Sequence, residues 1–159
     1  MAIKNKILIF LSFILVIASI AYSSDKNSVV DINSNLMELM EDKKMIIFSG
    51  DVVAKKGDIT LYCSRLEVFY NENPTTKKRE IDYMVAKGNV KIVQGEKIAK
   101  GDIGKYYQKE DMIILEGNPV TITEKGENQI TGNKVTFFMK ENRSTIEGNR
   151  PRVIFKSGE

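Results

Sequence analysis

A glycine followed by Asp or Asn, two residues after an apolar position, recurs along this chain. One half-motif of this kind occurs as Phe48-Ser49-Gly50-Asp51, Ala86-Lys87-Gly88-Asn89, Leu115-Glu116-Gly117-Asn118 and Ile146-Glu147-Gly148-Asn149. Their glycines lie 38, 29 and 31 residues apart. A second half-motif interleaves with the first: a small residue, a polar residue, then an apolar or aromatic strand. It reads Cys63-Ser64-Arg65-Leu66, then Gly101-Asp102 through Tyr106, then Gly132-Asn133-Lys134-Val135. Self-similarity at such a period marks a stack of equal supersecondary units. Each unit here is about two strands with a small residue at a fixed place in each. Glycine inside a strand weakens it, so its recurrence points to bends or to close backbone approach.

The rest of the pattern is strand-like. Alternation is clear in Val30-Asp31-Ile32, Leu66-Glu67-Val68 and Val120-Thr121-Ile122. Segments 45–54, 81–93, 112–123 and 135–139 are rich in β-branched and aromatic residues. Turn signals separate them at Lys56-Gly57-Asp58, Asn71 to Pro74, Gln94-Gly95-Glu96, Lys125-Gly126-Glu127 and Glu141-Asn142-Arg143. Residues 36–42 fit a helical turn or a strand, and the strand is favoured. Bends aligned from strand to strand fold a sheet over on itself. The expected architecture is all-β and antiparallel, with two facing sheets over an apolar groove and open edges at both ends. The alternative is a closed sandwich or barrel whose glycines mark hairpin turns.

Residues 1–23 read as a signal peptide. Lys4 and Lys6 precede an apolar run from Ile7 to Ile20, and Ser19, Ala21 and Ser23 offer small residues for cleavage. The run is short for a membrane span, although an uncleaved anchor is the competing reading. No cysteine follows it for lipid attachment. Residues 24–159 then form one domain. Losing the two lysines takes the formal charge from +3 to +1. The remaining charges alternate in sign, which argues against a nucleic-acid partner. With no His and a lone Cys63, the usual general base and metal ligand are missing and no internal disulfide is possible. Cys63 reads as a small apolar filler in a strand. No catalytic residues, no metal and no cofactor are expected.

The runs FSGDVV (48–53), AKGNVKI (86–92), LEGNPVTI (115–122) and ITGNKVTFF (130–138) resemble the repeat of the OstA-like (LptA-type) family of lipopolysaccharide-transport proteins. The likeness spans roughly residues 28–155. It implies a β-jellyroll that binds the acyl chains of lipid A, stacks head to tail as a homo-oligomer in the periplasm, and bridges the inner and outer membranes without catalysis. It also implies an LptC-type inner-membrane partner at the N-terminal edge and an LptD-type barrel's periplasmic domain at the C-terminal edge. An anchored inner-membrane component of the same pathway and a structural β-assembly that binds no lipid are the other readings.

Taking on each strand the face opposite Asp, Asn and Lys gives an expected groove lining. It comprises Val30, Ile32, Phe48, Val52, Leu66, Val68, Val90, Ile92, Tyr106, Val135 and Phe137. Of these, Val30, Ile32, Ile92 and Tyr106 also match lining positions of the family. Two departures stand out. Gly104 occupies a place where other repeats carry Leu66 or Val135, so a local gap is expected in the middle repeat. The chain also ends soon after Val153-Ile154-Phe155, leaving little to cap that edge. The strands near Val29–Asn33 and Arg152–Lys156 are the expected open edges.

Overall fold

Each long strand of this protein is bent once, and the bends line up. The computed structural model describes residues 29–156; the signal-peptide expectation for residues 1–23 lies outside them. Ten strands follow in order: β1 (Val30–Asn33), β2 (Leu36–Met40), β3 (Met45–Lys56), β4 (Ile59–Glu72) and β5 (Arg79–Gln94) are the first five. They are followed by β6 (Lys97–Tyr107), β7 (Met112–Glu124), β8 (Asn128–Phe138), β9 (Arg143–Glu147) and β10 (Arg152–Ile154). Neighbours from β3 to β8 pair antiparallel in sequence order, as a stack of hairpins. The disputed segment 36–42 yields a strand, β2.

The bend splits the sheet into two walls. β3 shows this directly: residues 53–56 pair with β1, and residues 45–49 pair with β2. β8 does the same at the far end, with residues 129–131 on β10 and residues 134–138 on β9. The first wall therefore holds β1, β10 and the halves of β3 to β8 nearest the hairpins at 57–58, 95–96 and 125–127. The second wall holds β2, β9 and the other halves. Both ends of the stack are unclosed, so each end presents two edge strands rather than the single one expected from the sequence.

The repeated half-motifs build the corner between the walls. Pairing of β3 with β4 jumps from Ser49↔Arg65 to Val52↔Cys63, and pairing of β5 with β6 jumps from Lys87↔Ile103 to Val90↔Gly101. Two residues, Gly-Asp or Gly-Asn, thus oppose a single residue, Ser64 or Asp102. This is a bulge that bends the strand. At Gly88 the backbone is left-handed (φ 78°), and a Cβ there would stand 3.0 Å from the Ser64 side chain. The polar residue of one half-motif lies against the glycine of the other, which explains why both recur. The same polar residues satisfy backbone groups freed by the bend. Asp102 accepts from the Asn118 amide (3.2 Å), and Asn133 Oδ1 accepts from the Asn149 amide (3.0 Å). At the N-terminal end, Asn35 donates to the Asp51 carboxylate (3.1 Å). Gly50, Gly88, Gly101, Gly117 and Gly132 thus sit at mid-strand corners and Gly148 at the corner between β9 and β10, while Gly57, Gly95 and Gly126 occupy the hairpin turns, which removes the closed-barrel alternative.

Between the walls, inward residues form one apolar core. Leu66, Leu115, Val52, Val90, Val120 and Val135 are fully buried near the corner, each side chain of this kind contributing about 1.5–3 kcal/mol. Cys63 belongs to this core. Burial pushes its thiol up to about 11, so it is an inert filler, as its sequence context suggests. Outward positions carry ion pairs, Arg65–Glu67 along β4 and Glu67–Lys87 and Lys134–Glu147 across neighbouring strands.

Candidate functional site

Side chains alternate across a strand, so every second residue of each strand faces the space between the walls. On the first wall the inward rows of β3, β5 and β7 start apolar at the corner and turn polar at the open margin. In β3 the row runs Val52, Ala54, Lys56; in β5 it runs Val90, Ile92, Gln94. In β7 it runs Val120, Ile122, Glu124. The bottom of the groove is therefore dry, and its mouth is rimmed by Lys56, Gln94, Lys97, Glu124 and Asn128. Lys97 and Glu124 pair at 3.7 Å along that rim.

The open part of the groove consists of two contiguous chambers, of about 280 Å³ toward the N-terminal end and about 400 Å³ toward the C-terminal end. Ile59, Ile92, Gln94, Ile113 and Met139 line both, so they form the passage between them. The N-terminal chamber is bounded by Val30, Ala54, Leu61, Leu66, Met84 and Tyr106 among others. The C-terminal chamber is bounded by Ile122, Ile130, Phe137, Ile146, Val153 and Phe155 among others.

Over the N-terminal chamber the two walls touch at the mouth. Lys56, on the first wall, donates to the Tyr106 hydroxyl of the second wall. It also meets Asp111, in the turn between β6 and β7, at 3.1 Å. Tyr106 itself donates to Asp111 at 3.0 Å. Burial alone would lower the Lys56 pKa, but hydrogen bonds and charge attraction from Tyr106 and Asp111 hold it above its ordinary value. Burial pushes the Tyr106 phenol up, with Lys56 opposing and Asp111 adding to the shift. The ammonium and the phenol both keep their protons at neutral pH.

The structure sorts the expected lining residues into two groups. Val30, Leu66, Ile92, Tyr106 and Phe137 border the open chambers. Phe48, Val52, Val68, Val90 and Val135 face inward but are buried in the core behind them, and Ile32 packs against that core. Gly104 borders the N-terminal chamber, and a Cβ there would meet Val90 Cγ1 at 3.2 Å. The expected gap is thus a widening of the chamber, partly filled by Val90. Sequence reasoning missed Leu61, Ile113, Ile122 and Ile130. Each lies two residues from an inward residue of the same strand, so extending the alternation would have found them. It also missed Lys56, an inward cation that the rule of choosing the face opposite lysine discards.

At both ends of the stack, inward apolar residues stay exposed. Met37 (62 % exposed) and Leu39 sit at the N-terminal end, and Val153 and Phe155 (75 % exposed) at the C-terminal end. Among the described residues, no group of three or more His, Cys, Asp or Glu is placed to hold a metal, and no helix is long and apolar enough to cross a membrane.

An apolar, open-ended groove in a bent stack of hairpins invites comparison with known proteins. The family model described as LptA/(LptD N-terminal domain) LPS transport protein matches residues 31–143. The chain belongs to that family. Membership makes it a component of lipopolysaccharide transport and not an enzyme. Among solved structures it is similar to LptH of Pseudomonas aeruginosa, described as the LptA homologous periplasmic component of the conserved lipopolysaccharide transport device. The TM-score is 0.70 at 14% identity, covering 84% of this chain and 99% of that one. At that identity the likeness speaks for the fold, the LptA-like β-jellyroll. Among curated sequences it resembles an uncharacterized protein of Rhizobium meliloti (strain 1021), 25% identical over 127 residues, covering 78% of this chain and 68% of the relative.

Proposed function

We propose that this chain is a periplasmic carrier that holds the acyl chains of lipopolysaccharide between its two walls and passes them along a head-to-tail stack toward the outer membrane. The observation that carries this reading is an apolar groove left open at both ends, with inward-facing Met37, Leu39, Val153 and Phe155 exposed there. An exposed methylene costs about 0.8 kcal/mol, so a twelve-carbon chain costs on the order of 10 kcal/mol in water. A dry groove offsets that cost, while the polar rim suits a headgroup that stays outside. The unpaired edges of β1 and β2 at one end and of β9 and β10 at the other favour addition of a further protomer by strand pairing. Such a heterologous contact does not close and extends as a filament. In the same arrangement the N-terminal edge meets an LptC-type inner-membrane partner, and the C-terminal edge meets the periplasmic domain of an LptD-type barrel. Residues 1–23 serve as a cleaved export signal, leaving residues 24–159 as the working domain.

Photo-crosslinking in cells tests the carrier reading. A photoreactive residue at Ile92, which borders both chambers, is expected to capture lipopolysaccharide, and one at outward Lys91 is not. Equal capture at both positions, or none at Ile92, would overturn it. Intact mass of the exported protein is expected to place its first residue within 22–24. Retention of Met1–Ala21 would instead make it the anchored component of the same pathway.

A further inference from the structure

The rim of the first wall is polar, but only one of its charged groups reaches across the mouth. Alternation along β3 turns Lys56 inward after Val52 and Ala54, and its ammonium ends on Tyr106 and Asp111 of the opposite wall. Among the described residues, these are the only side-chain hydrogen bonds that join the two margins of the groove. The other rim contacts stay within one wall: Gln94 with Asp58 and Lys97 with Glu124 on the first, Lys140 with the Lys109 carbonyl on the second. The Lys56 ammonium also lies 4.7 Å from the centroid of the Tyr106 ring. Both charged partners are largely shielded, at 23 % and 29 % side-chain exposure. That places the pair above an ordinary surface ion pair in strength and below a permanent bond.

We propose that Lys56, Tyr106 and Asp111 form a clasp across the mouth of the N-terminal chamber, and that each lipid travelling along the groove must part this clasp to pass. The inference rests on the carrier reading above and follows from topology. A lipid with its chains between the walls and its headgroup outside straddles the mouth, so any contact joining the two margins lies across its path. The C-terminal chamber has no such contact among the described residues and admits chains through its open side. The two chambers therefore load at different rates, and the clasp sets the slower one. Its groups exchange protein partners for water or for the passing lipid and re-form behind it, with no covalent step.

Two measurements test this. Spin labels at exposed Lys55 and at Lys109, one on each margin, are expected to give a narrow distance distribution in the lipid-free protein. Lys56→Met keeps the apolar stem and removes the cross-mouth bonds, so the distribution is expected to broaden and lengthen. The charge exchange Lys56→Glu with Asp111→Lys is expected to narrow it again. Photoreactive residues at Leu61 in the N-terminal chamber and at Ile130 in the C-terminal chamber then report loading with purified lipopolysaccharide. Capture at Leu61 is expected to lag capture at Ile130, and Lys56→Met to speed the former about tenfold while leaving the latter unchanged. An unaltered distance distribution in Lys56→Met, or an unchanged lag, overturns the clasp even if lipid is captured normally. Folded wild-type protein that captures lipid at neither position overturns the carrier reading and the gating role with it, while the spin labels still decide whether the margins are joined.

Discussion

The two chambers of the groove share a floor but differ at the mouth. Both rest on one continuous buried core, and Ile92 and Ile113 border both. Over the N-terminal chamber, Lys56 binds the second wall; over the C-terminal chamber, Glu124 and Lys97 bind each other along one wall. The same alternation places a polar or charged residue at the end of the inward rows of β3, β5, β6, β7 and β8. Which partner it finds depends on how closely the walls approach, so one pattern of residues produces a strapped compartment and an open one. Apolar lining alone thus sets what a groove can hold, and the few polar groups at its margin set how the cargo moves.

The broadest way to break the comparison is to remove the shared floor. Leu115 has no exposed surface and its side chain lies against Gly101. Leu115→Ala is expected to cost about 2–5 kcal/mol in urea unfolding and to weaken lipid capture in both chambers together. Loss from one chamber only would mean that their floors are independent. Val68, at 3 % exposure, behaves like Leu115 and unlike a lining residue. Val68→Glu is expected to lose the fold by circular dichroism before it says anything about lipid, because a buried unpaired carboxylate has nothing to compensate it.

Substitutions on the chamber surfaces sharpen the contrast at smaller scale. Ile92→Asp is expected to lower capture at both Leu61 and Ile130 about tenfold or more, with the fold retained because Ile92 is only partly buried. Phe137→Asp is expected to do so at Ile130 alone, since it borders the C-terminal chamber only. A comparable loss at Leu61 would show that the chambers do not act separately. Removing residues 150–159 strips β10 and the exposed Phe155 from the C-terminal end. Sedimentation is expected to show shorter assemblies or monomers, with capture at Leu61 preserved. Oligomers of unchanged length would rule out pairing through that edge.

The smallest expected effect lies outside the groove, behind the N-terminal chamber. Burial tends to raise the Glu67 pKa, but hydrogen bonds from Arg65 and Lys87 and their charges outweigh it and hold the carboxyl below its ordinary value. A lowered carboxylate pKa gives stability that is present above the unfolded value near 4.5 and is lost as pH falls through the folded value. Both basic partners are nearly half exposed, so the contribution is no more than about 1 kcal/mol. Glu67→Gln is expected to flatten the acid limb of a pH–stability profile between pH 5 and the folded value, and to leave lipid capture in both chambers unaltered. A steep acid limb in that variant would assign the loss to other carboxylates.

The strands, their order, the hairpin turns and the mid-strand corners were legible from the sequence, because each follows from local chemistry. Alternation decides which side chains share a face, and Gly-Asp or Gly-Asn against Ser64, Asp102 or Asn133 decides where a strand bends. The candidate lining was legible as a face but not as a surface. Val52, Val68 and Val90 have the same alternating pattern as Ile92 and Phe137, yet the first three lie buried in the core and the last two border open space. Depth below the mouth is set by distance from the bend and by what the opposite wall brings, and neither is encoded in the period of two. Lys56 makes the same point with charge. The sequence alone puts it beside a hairpin turn, where a lysine is ordinarily solvated. Fifty residues on along the chain, Tyr106 and Asp111 arrive on the opposite wall, and only the fold, by bringing the two margins within hydrogen-bond distance, turns a turn-flanking lysine into a contact across the groove.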